Sequence, residues 1–406
     1  MIVYYVFATV ILLIQAVVLV EAYRNLIYTR RQYRPTPSKY QPRTAVISPC
    51  KGMDTTFDRN INSLFHLNYP DYEIFFVVDS ATDPAYRRIT EIIKQNSANS
   101  HPVKAHLVIA GPAQTSSQKV HNLLTVCNSL PSDFEALAFI DSDACLKSHF
   151  LTSLVHPLRR KDVGASTGYR WFVPVDNRIS SAALSAINAF FASHMGPHSW
   201  VSTWGGAMAL QRKTYDQINL SQVWRNCCTD DYPLTTAVHK ADLLVIFVPA
   251  CYVASYEKTS WRDLFSFARR QFIITRVYMH RLWVLAILGM GHFVVAFWAG
   301  LLVSLYLYAN SSVHARYAAM LPVFLMVASI VKALFRQIMI RKILPEDRYR
   351  LLVPALIDIF LQPFLAVFTL ACLISSVFSR VIVWRGIRYT LHSVNHTEIA
   401  DLTTNT

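Results

Sequence analysis

The chain has 406 residues, 53% of them apolar, a length that supports one large domain or two smaller ones and an apolar share above the soluble norm of about half. Its formal charge of +14 sits largely beside apolar spans, which points to a membrane surface and away from a nucleic-acid groove. Seven Cys without a Cys-x-x-Cys pair exclude a cysteine zinc site and a secreted disulfide framework.

Residues 2–20 are almost wholly apolar, broken only by Thr9 and Gln15, and approach the ~20 residues that a bilayer requires. Arg24, Arg30, Arg31, Arg34, Lys39 and Arg43 come next. A signal peptide carries its charge ahead of the apolar core, so the reversed order predicts a retained transmembrane anchor over residues 1–22. The basic linker 23–42 and the domain it leads into belong on the cytoplasmic side.

From 43 to 258 the pattern changes. Apolar runs of strand length at 44–48, 73–78, 105–109, 136–140, 163–167, 208–210 and 243–248 are interleaved with helix-like segments at 55–65, 85–96, 119–130 and 230–239. Asp83 followed by Pro84 is a helix start, a capping residue and then a proline at the first helical position. Alternation of this kind implies an α/β domain built on a mostly parallel sheet. The run 136–140 ends in Asp141-Ser142-Asp143. Ligands of open α/β sheets bind beyond the carboxyl ends of such buried strands. Two carboxylates one residue apart can converge on a hard divalent cation, with substrate phosphate and water completing its shell.

Residues 259–282 read as an interfacial amphipathic helix, with Arg262, Arg269, Arg270, Arg276 and Arg281 among aromatics. Apolar segments at 283–308, 317–335 and 351–378 predict transmembrane segments within 283–379, and the basic stretch 336–350 belongs in the cytoplasm. Pro354 and Pro363 break the last segment, which leaves both a crossing and a re-entrant hairpin open. Residues 380–406 read as a tail.

Several pieces fall in one order: Asp79 and Asp83 after a strand, Gln118-Lys119-Val120-His121-Asn122 opening a helix, Asp141 and Asp143, Trp204-Gly205-Gly206, Thr229-Asp230-Asp231-Tyr232, and Arg269-Arg270-Gln271 with Arg276. With Lys51-Gly52-Met53-Asp54 and Asn68-Tyr69-Pro70-Asp71-Tyr72-Glu73, they resemble the inverting glycosyltransferases of family 2, which have a GT-A fold. Within that family the chain looks most like the ceramide glucosyltransferase branch and its bacterial relatives. The resemblance implies a GT-A, Rossmann-like catalytic domain over 43–258. It implies a metal-dependent hexosyltransferase that moves a sugar from a UDP-sugar to the hydroxyl of a membrane lipid, ceramide-like or other, at the cytoplasmic leaflet.

The resemblance also implies roles. Asp79 and Asp83 would accept hydrogen bonds from the uracil and ribose, although Asp83 reads equally as a turn and helix cap. Lys119 would neutralise nucleotide phosphates. Asp141 would touch the ribose and share Mg2+ or Mn2+ with Asp143. Asp231, with Asp230 beside it, would take the proton from the acceptor hydroxyl, and an anionic side chain is favoured at a helix N-terminus. Arg269, Arg270, Gln271 and Arg276 would clamp the diphosphate, although the Gln/Arg-x-x-Arg-Trp pattern of the resembling enzymes is altered here. His194 and Trp204 would line the acceptor, with core packing the other reading of Trp204. Two readings compete: a processive polysaccharide synthase and an inactive membrane scaffold. The altered arginine motif and short membrane region argue against the first, and the intact Asp79, Asp141, Asp143 and Asp231 against the second.

Overall fold

The computed structural model describes residues 1–34, 38–98 and 102–400. Residues 35–37 of the expected linker and 401–406 of the expected tail lie outside the described residues. The chain opens with helix α1 (Ile2–Gln32). Strands and helices then alternate as β1 (Thr44–Pro49), α2 (Phe57–Ser63), β2 (Tyr72–Val78), α3 (Pro84–Asn96), β3 (Ala105–Ile109), α4 (Gln118–Ser129), β4 (Ala136–Ile140) and α5 (Phe150–Val155). A second run holds β5 (Val163–Pro174), α6 (Ile179–Ala192), β6 (Ala207–Gln211), α7 (Arg212–Gln217), α8 (Leu220–Trp224), α9 (Asp231–Lys240) and β7 (Leu244–Glu257). Five helices come after it: α10 (Trp261–Tyr278), α11 (His280–Ala309), α12 (Ala315–Ile343), α13 (Leu352–Phe360) and α14 (Gln362–Ser375). Strands β8 (Val381–Trp384), β9 (Ile387–Ser393) and β10 (His396–Ala400) close the described chain.

These elements form two compact units, one of residues 1–30, 173–196 and 258–379 and the other of residues 31–172, 197–257 and 380–406. The second unit is built on a seven-stranded sheet in the order β3-β2-β1-β4-β6-β5-β7. Strands β3, β2, β1 and β4 run parallel, and β6 runs antiparallel to both β4 and β5. Strands β1 and β4 are paired on both edges, and residues 44–48 and 136–140 are buried, so both faces of each strand are covered as well. Val46, Ile47 and all of Ala136–Ile140 are buried, which is why these strands read as unbroken apolar runs. Ile47 lies opposite Phe75 on one side and Phe139 on the other. This register brings the carboxyl ends of β1, β2 and β4 to one edge, and the loops that leave them carry the acidic residues singled out above.

The expected tail is instead a three-stranded antiparallel sheet, β10-β9-β8, belonging to the sheet unit. Leu391 and Tyr389 alternate inward along β9 and are buried.

In the helical unit, α1 continues past the apolar core to Gln32, because its basic second half carries no helix breaker. Helices α1, α11 and α12 are long and apolar enough to cross a membrane, while α13 and the following segment to Phe378 are bent by 86° at Leu361. Polar contacts join these helices. Gln15 is hydrogen-bonded to His292 at 3.0 Å and accepts from Lys332 at 3.0 Å. Buried Arg336 grips buried Asp358 through two hydrogen bonds of 2.6 and 3.0 Å, tying α12 to α13.

Candidate active site

The loop after β1 meets the loop after β2. Lys51 forms an ion pair with Asp79 and lies 4.0 Å from Asp83. Asp83 caps α3 by accepting from the Ala85 amide at 2.8 Å, and its two oxygens also accept from the Gly52 amide at 2.9 and 3.1 Å. Gly52 has φ +65, a left-handed backbone that aims this amide at the carboxylate. The helix cap and turn expected of Asp83 are therefore present. Asp79 keeps a buried Oδ1 with no hydrogen-bond partner among the described residues.

Helix α4 starts with the Ser117 hydroxyl accepting from the Val120 amide, and this start delivers Lys119 into a carboxylate clamp. Its Nζ lies 2.7 Å from Asp141 and 3.1 Å from Asp230, and it donates to the Gly205 carbonyl at 3.2 Å. A Cβ on Gly205 would stand 2.6 Å from both Asp230 oxygens and 2.8 Å from Nζ, so only glycine leaves room for the clamp. Burial works against the charged lysine, but Asp141 and Asp230 outweigh it and raise its pKa. Burial pushes Asp230 up to about 6, with Lys119 pulling the other way. Next to it, at the start of α9, Asp231 is fixed in orientation. Its Oδ1 accepts from the Thr229 hydroxyl and the Tyr232 amide, both at 2.7 Å, while Thr203 donates to its backbone carbonyl at 2.8 Å.

Beyond β4, Asp143 faces Arg170 at 3.4 Å, and burial pushes its carboxyl up to about 6 against the pull of that guanidinium. Arg170 in turn lies over the rings of Phe172 and Trp204, 4.7 and 5.4 Å from their centroids. Trp204 is 9% exposed and packs into the sheet's core, with the Tyr169 ring 5.7 Å away, so it has the core-packing role expected as one of its two readings. Between the two metal candidates, Ser142 donates to Asp54 at 2.8 Å, and Asp54 is ion-paired with Arg385.

Among the described residues, no three His, Cys, Asp or Glu side chains gather as a metal cage. The pair Asp141 and Asp143 fits an ion that takes two carboxylates and completes its shell with substrate oxygens and water. The buried Oδ1 of Asp143, without a hydrogen-bond partner among the described residues, fits the same role.

The sheet unit thus brings together Asp79, Asp83, Lys119, Asp141, Asp143, Trp204, Asp230 and Asp231. The other expected site residues belong to the helical unit. Exposed His194 lies just after α6 and is hydrogen-bonded through Nδ1 to the Phe190 carbonyl at 2.8 Å. On α10, Arg269 donates to the Ser375 carbonyl at 3.4 Å, and Arg276 donates to the carbonyls of Val377 at 2.5 Å and Ser379 at 2.7 Å. Arg270 lies 5.4 Å from the Phe267 ring centroid, and the Gln271 carbonyl accepts from Thr275. Sequence reasoning did not assign Lys51, Asp54, Arg170, Arg385 or Tyr389 to the site. Lys51 and Asp54 stand within a motif it quoted. Arg385-Gly386 lacks the Asn-Gly or Asp-Gly signature of a two-residue hairpin turn and so leaves only a weak signal in the sequence. Arg170, in mid-strand, leaves no local signal.

The family model described as Glycosyl transferase family 21 matches residues 4–396. That match overturns the assignment to family 2. The motifs behind that assignment are short stretches, whereas the family model reads residues 4–396, so the motifs are the weaker mark of family. Two solved structures are similar to the chain. The mannosyltransferase PcManGT from Pyrobaculum calidifontis, in complex with GDP-Man and Mn2+, is 14% identical, with 90% of this chain and 97% of that one covered and a TM-score of 0.46. The glucosyl-3-phosphoglycerate synthase from Mycobacterium tuberculosis, in complex with phosphoglyceric acid, is 13% identical, covering 59% of this chain and 80% of that one with a TM-score of 0.37.

Proposed function

The chain belongs to glycosyl transferase family 21, and on that premise we propose that it is a membrane-bound inverting hexosyltransferase moving a sugar from a UDP-sugar to a lipid hydroxyl at the cytoplasmic leaflet. The observation that carries this reading is the clamp of Lys119 between Asp141 and Asp230, beside the oriented Asp231 and in the unit that also holds Asp79 and Asp143. In this reading Asp79 and Asp141 accept hydrogen bonds from the uridine, which gives the buried Oδ1 of Asp79 a partner. Asp83 stiffens the same loop through its cap. Asp141 and Asp143 hold Mg2+ or Mn2+, which when bound offsets the charge of the departing UDP.

Asp231 does the proton work. The acceptor oxygen bonds to the anomeric carbon on the face opposite UDP, the bond from that carbon to UDP breaks, and its electron pair leaves with UDP. The hydroxyl proton passes to the Asp231 carboxylate. The hydrogen bonds on its Oδ1 hold the carboxylate in one orientation, and Asp230 positions Lys119.

Three helices of membrane-crossing length among the described residues and the amphipathic α10 support a lipid acceptor. Arg24, Arg30 and Arg31 near the end of α1, and Arg341 and Lys342 at the end of α12, support a cytoplasmic face. The Arg385–Asp54 ion pair supports the same side for residues 380–400 as for β1. With α11 and α12 as a pair of crossings, the bent pair α13 and α14 then enters and leaves on one face.

The test is to incubate purified chain in lipid nanodiscs with labelled UDP-sugars and extract the lipids. The reading predicts label in the organic phase that depends on Mn2+ or Mg2+ and is abolished by EDTA. Label confined to water-soluble or high-mass polymeric product would overturn it.

A further inference from the structure

We propose that Arg385, at the tip of the C-terminal sheet, is a donor-binding residue whose guanidinium engages the diphosphate of the nucleotide-sugar. This deepens the reading above and rests on it. Three observations carry it. The first is where the sheet is anchored. Buried Tyr389 accepts from the Gln118 amide at 3.2 Å, one residue before Lys119. The Val394 carbonyl accepts from the Cys227 thiol at 3.3 Å, two residues before Thr229. The sheet is therefore fastened to two of the segments that supply the lysine clamp, those of Lys119 and Asp230.

The second observation is the turn itself. Val381 pairs with Thr390 and Trp384 with Ile387, so Arg385 and Gly386 form a two-residue hairpin turn with φ of +50 and +78. Turns of this kind take Asn, Asp or Gly at the first position, because a longer L side chain resists the left-handed region. An arginine there is a local departure that its side chain has to justify, and backbone departures of this sort gather at ligand sites.

The third is the charge it meets. Asp54 is 4% exposed in its side chain and holds Ser142, the residue between Asp141 and Asp143, whereas the Arg385 side chain remains 41% exposed. The ion pair uses the Nη2 atom of Arg385. The remaining N–H groups of a rigid five-donor fork suit the oxygens of a diphosphate. On α10, by contrast, the guanidinium groups of Arg269 and Arg276 donate to the carbonyls of Ser375, Val377 and Ser379.

The experiment compares binding of UDP and uridine, and of GDP and guanosine, to the full chain in detergent with Mn2+. The variants are Arg385→Gln and the double variant Arg385→Gln/Asp54→Asn, which leaves no buried carboxylate unpaired. The proposal predicts that both variants bind the nucleoside diphosphate about tenfold or more weakly while nucleoside affinity holds within about twofold. Equal loss for diphosphate and nucleoside in both variants, or no loss for either, would overturn it. A wild-type chain that binds neither UDP nor GDP would overturn the reading beneath it, and this assignment with it.

Discussion

Replacing Lys119 with Met keeps the length and apolar stem of the side chain and removes one charge from the clamp. The lysine lies 2.7 Å from Asp141 and 3.1 Å from Asp230, with 12% of its side chain exposed and only 2% of that of Asp230. Removing one member of a buried ion pair costs about 3–5 kcal/mol, because the remaining charge is left without compensation. For a unit of this size that corresponds to a fall in Tm of about 6–20 °C. The pH dependence is what separates this from loss of packing. Asp230 has a folded pKa raised to about 6 even with the lysine present. Its ionised form therefore weakens the fold, by an amount that grows from the ordinary carboxylate range up to the folded pKa and is complete above it. Without Lys119 that folded pKa rises further, so Lys119→Met is expected to lose most stability at about pH 8 and much less at about pH 5, where Asp230 takes up a proton. Thermal melts of both proteins across this range read the difference directly. A deficit that is independent of pH, or below about 1 kcal/mol at neutral pH, would refute the clamp as the element that stabilises this edge of the sheet.

Three other perturbations test the same geometry. Gly205→Ala places a methyl group 2.6 Å from the Asp230 oxygens, which is expected to cost about 1–3 kcal/mol in melts and to weaken UDP binding along with stability; a variant neutral in both would show that the clamp has slack. Burial pushes Asp143 up to about 6, and a metal ligand must be ionised, so Mn2+ affinity measured calorimetrically with UDP present is expected to fall by about tenfold per pH unit below that value; flat affinity from about pH 7 to pH 5 would remove Asp143 from the ligand set. Asp358→Ala leaves Arg336 buried and unmatched between α12 and α13, with an expected cost of about 3–5 kcal/mol in detergent melts, and an unchanged melt would contradict it.

How far the sequence reveals this architecture depends on the kind of signal each part leaves. The runs 105–109 and 136–140 coincide with β3 and β4: β4 is buried along its length and appears as an unbroken apolar stretch with polar ends, while β3, half-buried at the edge of the sheet, keeps enough apolar residues around His106 to be read. Helix α3 begins at Pro84, where its cap and N1 proline announce it. Strands β5 and β7 run well past the expected 167 and 248, since Tyr169, Arg170 and Tyr252 interrupt the apolar pattern while tertiary packing continues the strand. The C-terminal sheet escapes a reading of the sequence because short alternating runs after an apolar helix carry weak signals singly. At the site, the aspartates can be read from their place after strands, whereas the Lys119 clamp and the Arg170–Asp143 pair join residues tens of positions apart and exist only once the sheet has formed. Family membership is misread from the motifs for a related reason. They are short stretches, while the match over residues 4–396 reads nearly the whole chain.

The most direct measurement of the central claim is single-turnover sugar transfer to lipid by Asp231→Asn, run beside UDP binding on the same preparation. The substitution keeps the side chain's shape and an oxygen that can accept from Thr229 and Tyr232. Donor affinity should stay within about twofold while transfer falls by at least about 10²-fold, the contribution of a positioned general base. Transfer at the wild-type rate from Asp231→Asn would contradict the account.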